Sequence, residues 1–317
     1  MVTDAEPHPI EVSNLVKRYG ALGGVGGVDL AVRKGSITGL IGVNGAGKST
    51  TLRSIMGLTE PDSGQVRLFG IPASHGTRLR IGFLPEERGL PPRDRARNVI
   101  AFHGRMRGMA RKAAFAAADE LLERVNLGQR RASRIEDLSK GNAQRVQILC
   151  TLVHRPDLLI LDEPLSGLDP VAQSDVLALF AEFRSRGGSI LLSTHSMAAV
   201  ENLCDHVVIL ANGRTVFEGG IAAAADLAPH GALVVTSDPA ALAAVAARLG
   251  GTASPISGGM GDSGRWQVLL PATVPHPALL RALSERSVPI MAFEPIRKNL
   301  EGAFWALSKP CDQSRAA

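Results

Sequence analysis

A glycine-rich loop from Gly42 to Thr50 carries the clearest chemistry in the sequence. It reads GVNGAGKST and matches the pattern G-x-x-x-x-G-K-[ST] in full. The apolar residues 37–41 before it predict a buried strand, and residues 49–56 after it predict a helix that Gly57 ends. A strand, a glycine loop and a helix in this order let backbone N–H groups and the positive end of the helix dipole converge on a phosphate. We therefore interpret the segment as a phosphate-binding loop rather than a glycine turn with a surface lysine.

The side chains of this loop suit a nucleotide that is bound together with a metal ion. Lys48 is expected to reach the β- and γ-phosphates, and the Ser49 hydroxyl is expected to ligate Mg²⁺. The residues predicted to contact the nucleotide are Asn44, Gly45, Ala46, Gly47, Lys48, Ser49 and Thr50.

Two acidic residues follow directly after an apolar run farther along the chain. Residues 158–161 read LLIL, which is typical of a central parallel strand, and Asp162 and Glu163 come next. Asp162 is expected to hold hydrated Mg²⁺, and Glu163 stands where a general base or a water-orienting group is needed for attack on the γ-phosphate. An acidic pair after a strand is common by itself. Downstream of a phosphate-binding loop, it predicts hydrolysis of a phosphate bond.

The composition limits the class of protein. A chain of 317 residues with 45% apolar and 21% charged residues is ordinary for a soluble globular protein. No uncharged apolar stretch approaches the roughly 18 residues that span a bilayer, and residues 1–9 are too polar for a signal peptide. The three cysteines, Cys150, Cys204 and Cys311, are odd in number and share no metal-type spacing. These features predict a protein of the reducing cytoplasm.

Positive charge is concentrated in one part of the chain. Residues 78–134 contain 14 Lys and Arg against 6 Asp and Glu, so this window has a charge of +8. The rest of the chain has a charge of −3, which gives the net charge of +5. Such a window can meet nucleic acid, anionic lipid headgroups or a protein partner, or it can simply form the solvated faces of helices.

Alternating strand and helix patterns predict an α/β fold with a parallel sheet over residues 10–220. Helical periodicity over 93–126, followed by a helix predicted from Ser139 to Pro156, indicates a helical subdomain at about residues 90–155. The glycine-rich segment 20–27 opens no helix and is expected to be a flexible turn.

A shift in composition to Ala, Pro and Gly near residue 220 predicts a domain boundary. It separates a nucleotide-binding domain, residues 1–220, from a small accessory α/β domain, residues 221–317. The elements predicted in the second domain are strands at 232–237, 266–270 and 288–293, helices at 239–249, 277–286 and 298–308, and a loop at 250–264. No phosphate-binding or acid–base pattern occurs there, so we expect this domain to regulate or assemble rather than to catalyse.

Taken together, five ordered motifs resemble those of the ATP-binding cassette (ABC) ATPases. They are the phosphate-binding loop, a signature-like segment Leu138–Gln144 reading LSKGNAQ, the strand that ends in Asp162 and Glu163, the sequence SGLD at 166–169, and His195. The resemblance covers residues 10–220 in the order and spacing of that family, and it implies the fold of a P-loop NTPase with a helical subdomain, binding of ATP with Mg²⁺, and Mg²⁺-dependent ATP hydrolysis.

The resemblance also implies roles for individual residues. Tyr19 occupies the position of an aromatic residue that stacks on adenine, although it could instead belong to the core. Ser139 and Gly141 would contact the γ-phosphate of ATP that is bound to the opposite subunit. Asp169 would lie at the seam of that dimer, and His195 would contact the γ-phosphate as a switch.

Three features depart from the usual family pattern. Lys140 and Asn142 replace residues of the common LSGGQ sequence, and Glu86 stands where most members have glutamine, a position implied to touch Mg²⁺ or the attacking water. A carboxylate at this position can still ligate a hard cation or accept a hydrogen bond from water. Residues 221–317 lie outside the ATPase core. The sequence LPEERGL at 84–90 and the ending NLEGAF at 299–304 resemble bacterial sodium- or drug-exporter-type ATPases that carry an extra C-terminal domain.

The resemblance favours the ATPase subunit of an ABC transporter at the inner face of the cell membrane. It favours an exporter over an importer. Its implied partners are a separate membrane permease and a second ATPase subunit, identical or different, with no nucleic acid. The basic segment 93–112 is expected to dock the permease. The alternatives are an importer ATPase and a soluble ABC-type ATPase that acts on ribosomes or DNA. The chain contains only one cassette and no long coiled coil between Thr50 and Leu138, which disfavours the soluble class.

Overall fold

The computed structural model of the protein describes residues 7–20, 23–87, 89–256, 264–296 and 298–308. The chain divides into two compact units, residues 1–221 and 222–317. None of the helices in the described ranges is both long and apolar enough to cross a membrane.

The first unit contains ten strands and seven helices that alternate along much of the described chain. In chain order they are β1 (Ile10–Arg18), β2 (Gly24–Val32), β3 (Ile37–Gly42), α1 (Lys48–Ile55), β4 (Ser63–Leu68), β5 (Ile71–Pro72), α2 (His75–Arg78), β6 (Ile81–Leu84), α3 (Ala96–Met106), α4 (Arg111–Arg124), α5 (Lys140–Leu152), β7 (Leu158–Asp162), α6 (Pro170–Ser185), β8 (Ser189–Ser193), α7 (Met197–Leu203), β9 (His206–Ala211) and β10 (Arg214–Gly220).

A six-stranded sheet in the order β10-β9-β3-β8-β7-β6 forms the centre of this unit. The five strands from β9 to β6 run parallel, and β10 is an antiparallel edge strand. All residues of β3, β7 and β8 are buried, because helices must cover both faces of a parallel sheet. The loops after β3, β7 and β8 therefore meet at the same edge of the sheet.

A second sheet, in the order β2-β1-β4-β5, is entirely antiparallel. Its strand β2 begins at Gly24, so the prediction of a flexible turn over 20–27 is wrong for residues 24–27, which belong to β2. Residues 24–26 of this stretch pair with β1. Buried Val25 and Val28 anchor this glycine-rich strand in the core. Ala21 and Leu22 lie outside the described residues.

Helices α3, α4 and α5 pack around their own apolar cluster in the segment that was predicted to be a helical subdomain. The helical pattern over 93–126 forms two helices rather than one, because Gly108 adopts a left-handed conformation (φ 90°) between them. Helix α5 ends at Leu152, four residues before Pro156, and the chain turns through Arg155 at φ 53°.

The second unit begins with α8 (Ile221–Ala225), which extends across the division between the two units. Its further elements are β11 (Gly231–Val235), α9 (Pro239–Arg248), β12 (Thr252–Pro255), β13 (Arg265–Leu269), α10 (His276–Glu285), β14 (Ala292–Pro295) and α11 (Leu300–Ser308).

From β11 to β14 these elements follow the order β-α-β-β-α-β of the split βαβ arrangement. The sheet, in the order β12-β13-β11-β14, is antiparallel throughout, and α9 and α10 share its apolar cluster. Strand β12 lies within 250–264, where a loop was predicted, and the strand predicted at 288–293 begins four residues later. Cys311 lies outside the described residues.

Candidate functional site

A cleft of about 440 Å³ lies at the edge of the central sheet where β3 and β7 end. We call it the nucleotide cleft. Its lining brings together residues from the phosphate-binding loop, the acidic pair and the loop after β6. The lining residues are Tyr19, Gly24, Asn44, Gly45, Gly47, Lys48, Ser49, Thr50, Glu86, Asp162 and Glu163.

The glycines of the loop are required by its backbone conformation. Gly45 and Gly47 have φ angles of 82° and 102°, which side-chain-bearing residues rarely adopt. A Cβ atom on Gly47 would also overlap the Val25 side chain of β2. The antiparallel sheet therefore forms one wall against which the loop closes.

Helix α1 begins at Lys48, so Ser49 and Thr50 lie in its first turn, where N–H groups point towards the cleft end of the helix. The Nζ atom of Lys48 donates to the carbonyl of Gly42 at 2.7 Å and lies 3.4 Å from that of Val43. The ammonium group is thus held over the loop, within the region that a phosphate would occupy.

Ala46 is the one residue of the predicted set 44–50 that does not line the nucleotide cleft. Its side chain is 2% exposed and packs in the core. Its N–H donates to the Val43 carbonyl within the loop. The structure therefore gives Ala46 a packing role that its position in the motif does not reveal.

Asp162 is the last residue of β7 and is only 4% exposed. It pairs in register with Ser193, the last residue of the neighbouring parallel strand β8. The Ser193 hydroxyl donates a hydrogen bond to the Asp162 carboxylate. This bond fixes the orientation of the carboxylate at the floor of the cleft.

Glu163 and His195 are brought together by the same pair of strands, since each follows a strand end. Oε1 of Glu163 lies 3.0 Å from Nδ1 of His195. The Glu163 side chain is 14% exposed and the His195 side chain 72%. Glu163 has a φ angle of 49°, and its N–H donates to the Ser193 carbonyl. This backbone conformation places the Glu163 side chain in the lining of the cleft. His195 itself does not line the cleft.

The oxygen donors in the cleft suit Mg²⁺. Ser49, Asp162 and Glu86 provide one hydroxyl and two carboxylates, which are hard ligands. In the described part of the chain no group of three or more His, Cys, Asp or Glu residues forms a protein-only metal cage. Mg²⁺ typically binds through one or two carboxylates, phosphate oxygens and water, so a site completed by a nucleotide fits these residues.

Tyr19 and Glu86 flank the loop from two sides. Tyr19 is 43% exposed and lines the cleft, which disfavours a core-packing role. Glu86 is also exposed, in the loop that follows β6. Arg88 of the same loop lies outside the described residues. Gly24 also lines the cleft, but sequence reasoning missed it because this glycine-rich stretch does not have an obvious strand pattern.

Ser139, Gly141 and Asp169 are absent from the lining of the nucleotide cleft, and two of them, Ser139 and Asp169, cap helices. The Ser139 hydroxyl caps α5 by accepting from the Asn142 N–H at 3.2 Å. Asp169 caps α6 by accepting from the Ala172 N–H at 2.9 Å.

A larger cavity of about 550 Å³ lies between α4 and α6. Its wall includes Glu182 together with Arg124 and Arg186, each of which forms an ion pair with Glu182. Neither the phosphate-binding loop nor the acidic pair reaches it, so volume alone does not identify the chemical site.

Comparison with known proteins connects this geometry to one family. Residues 25–166 match the family model described as ABC transporter. The uncharacterized ABC transporter ATP-binding protein YhaQ of Bacillus subtilis is 39% identical over 66% of this chain and 70% of its own length. The Nod factor export ATP-binding protein I of Burkholderia lata is 38% identical over 67% of this chain and 70% of its own length. A solved structure titled as the ATP-binding subunit of an ABC transporter is 34% identical, with a TM-score of 0.64, over 68% of this chain and 92% of that chain.

Proposed function

Because this chain belongs to the family of ABC transporter ATP-binding proteins, we propose that it is the subunit that hydrolyses ATP with Mg²⁺ to drive export through a separate membrane permease. The observation that carries the proposal is the convergence of Lys48, Asp162 and Glu163 on one cleft. A phosphate-binding cation, a metal-binding carboxylate and a candidate base are the groups that this reaction requires.

Each residue then has a defined task. Lys48 exchanges its bonds to loop carbonyls for bonds to the β- and γ-phosphates. Asp162, oriented by Ser193, and Ser49 hold Mg²⁺, which when bound neutralises charge that develops on the phosphates. Glu163 accepts a proton from, or orients, the attacking water, and His195 holds the Glu163 carboxylate in place. Tyr19 stacks on the adenine ring.

We further propose that two ATPase subunits, identical or different, enclose ATP between them. Ser139 and Gly141 lie at the start of α5, where N–H groups and the helix dipole favour an anion. Neither residue lines the cleft of its own chain, which supports a role on the nucleotide of a partner subunit. Asp169 would then lie at the seam.

Helix α3 supplies a surface that suits the permease. Phe102 and Met106 are 56% and 66% exposed on this helix. With Arg105 and Arg111 they border a shallow cavity of about 370 Å³. Exposed apolar side chains among arginines are typical of a protein interface and would place this part of the subunit at the cytoplasmic face of the membrane.

The name of the Burkholderia lata relative supports export as the direction, since that protein is called a Nod factor export protein. The second unit, residues 222–317, is proposed to regulate or assemble the transporter. Helices α3 to α5 of the first unit are proposed to act as the helical subdomain.

Co-expression with any multi-span membrane protein found to be encoded beside this chain tests the proposal. We expect the two proteins to co-purify and the membrane protein to stimulate ATP hydrolysis. Phe102→Asp should abolish co-purification and leave hydrolysis by the isolated subunit unchanged. The matched control is Ile71→Asp, because Ile71 is 54% exposed on strand β5 of the antiparallel sheet and does not border this cavity. Equal co-purification of both variants would contradict docking at α3.

A further inference from the structure

An ion pair ties the second turn of α5 to the second turn of α6. Nη1 of Arg145 donates to Oδ2 of Asp175 at 2.8 Å. The two side chains are only 13% and 18% exposed, compared with 30% and 37% for the Arg124–Glu182 pair that connects α4 to the same helix α6. Burial reduces the screening of the Arg145–Asp175 attraction by water and salt, so this pair holds the two helices more strongly than an exposed pair does.

The same guanidinium group joins further segments. Arg145 Nη1 also donates to the carbonyl of Val125 at the end of α4, at 2.9 Å, and Nη2 donates to Oδ1 of Asn142. Asn126 adds an amide 3.4 Å from the Asp175 carboxylate. A planar group with several fixed donors can hold such an arrangement, whereas a lysine ammonium cannot reproduce it.

These contacts lie beside the residues proposed to reach the nucleotide of the partner subunit. Asn142, held by Arg145, donates its N–H to the Ser139 hydroxyl. A Cβ atom at Gly141 would lie 3.8 Å from the Gly167 carbonyl, so the first turn of α5 runs close to the segment before Asp169. Asp169 in turn caps α6, the helix that carries Asp175.

We propose that Arg145 is a positioning residue that holds Ser139 and Gly141 in a fixed place relative to Asp169. The start of α5 and the start of α6 then contact the partner subunit as one rigid surface. Arg145 does not line the nucleotide cleft, so it acts on the closure of the dimer and not on the first binding of ATP. This inference rests on the proposed ATP-bound dimer.

The test measures three properties of Arg145→Lys and of Asp175→Asn. In the Glu163→Gln background, the ATP-dependent dimer dissociation constant should rise by about tenfold or more in either variant, within the range measured for coupled pairs. Binding of a fluorescent ATP analogue at protein concentrations that keep the subunit monomeric should change by less than about twofold. Hydrogen exchange of the amides of residues 140–145 should accelerate. The double variant should be no worse than the worse single variant, because the two residues act as a unit.

Arg124→Lys is the matched control, since it weakens a more exposed ion pair that also joins a helix of the 96–152 region to α6. If the Arg145→Lys and Asp175→Asn defects came only from a general loosening of the subunit, Arg124→Lys would show defects of the same size. We expect it to dimerise and exchange like the parent.

The inference would be overturned if both Arg145→Lys and Asp175→Asn dimerised and exchanged like the parent. Defects of the same size in Arg124→Lys would also overturn it. If the Glu163→Gln parent itself stays monomeric with ATP, the proposed homodimer fails. The exchange of residues 140–145 then decides the positioning role alone: faster exchange in the two variants than in the control supports it, and unchanged exchange overturns it. If Arg145→Lys does not fold, Asp175→Asn, which preserves side-chain volume, gives the same readouts.

Discussion

Oε1 of Glu163 and Nδ1 of His195 lie 3.0 Å apart; Glu163 directly follows β7, and His195 lies two residues after the end of the neighbouring parallel strand β8. The pairing of β7 with β8 therefore builds this contact from positions 32 residues apart in the sequence. It links the candidate base to an exposed side chain that a nucleotide or a partner subunit can reach.

This contact predicts that His195→Ala lowers kcat by about tenfold to a hundredfold, because Glu163 loses the group that orients it. KM for ATP should change by less than about threefold, since His195 does not line the cleft. Steady-state hydrolysis over a range of ATP concentrations separates the two constants. His75→Ala, at an exposed histidine of α2, is the control. A larger effect on KM than on kcat would instead assign His195 to ATP binding.

Glu86 provides a second prediction. Glu86→Gln should retain most of the activity, because an amide oxygen can still ligate a hard cation or accept from water. Glu86→Ala removes the ligand and should raise the Mg²⁺ concentration needed for half-maximal hydrolysis by about tenfold. Titration of activity with Mg²⁺ at saturating ATP measures this directly. An unchanged Mg²⁺ requirement in Glu86→Ala would show that Glu86 is only a solvated loop residue.

His154 predicts a pH dependence of stability. Both of its ring nitrogens are shielded from solvent. Burial, with added repulsion from Arg107 and His103, lowers the pKa of His154 to about 4. In the unfolded chain, His154 therefore binds a proton below about pH 6.5, whereas in the folded chain it binds one only below about pH 4. Stability should be highest above pH 6.5 and fall as pH drops from 6.5 to 4, by about 1–3 kcal/mol from this group after allowance for partial exposure.

Urea unfolding of wild type and His154→Phe at pH 7.5 and pH 5 tests the sign. The variant cannot titrate at this position, so it should lose less stability between the two pH values than wild type does. His75→Gln should behave like wild type. A variant whose loss of stability between pH 7.5 and pH 5 equals that of wild type would exclude His154 as the source.

The division of the chain predicts that residues 1–221 bind ATP without the second unit. All residues that line the nucleotide cleft lie in the first unit. A protein truncated after Ile221 should bind a fluorescent ATP analogue within about threefold of the full chain, because its whole central sheet remains. Circular dichroism establishes that the truncated protein is folded. Folded protein that has lost ATP binding would contradict the prediction.

The sequence predicted the centre of the first unit well because local pattern and tertiary role agree there. The apolar runs of β3 and β7 are buried on both faces, and the motifs that follow them have little conformational freedom. Two such segments were enough to place Lys48, Asp162 and Glu163 in one cleft before any distance was known.

The features that were missed depend on partners distant in the chain. Strand β2 looked like a glycine turn because Val25 and Val28 are stabilised by core contacts rather than by local propensity. Strand β12, a short edge strand, forms only by pairing with β13. The burial of Ala46 results from how the loop closes, and the contact between Arg145 and Asp175 joins helices whose relative position no local pattern encodes.

Hydrolysis by Glu163→Gln tests the central claim most directly. The amide keeps the shape of the Glu163 side chain but cannot accept a proton, so the barrier rises while the phosphate-binding loop is intact. Phosphate release by purified wild type and Glu163→Gln should be measured at saturating ATP and Mg²⁺, together with ATP affinity. We predict that turnover falls by about a hundredfold or more in the variant and that ATP affinity stays within about threefold of wild type. Wild-type turnover by Glu163→Gln would contradict the account.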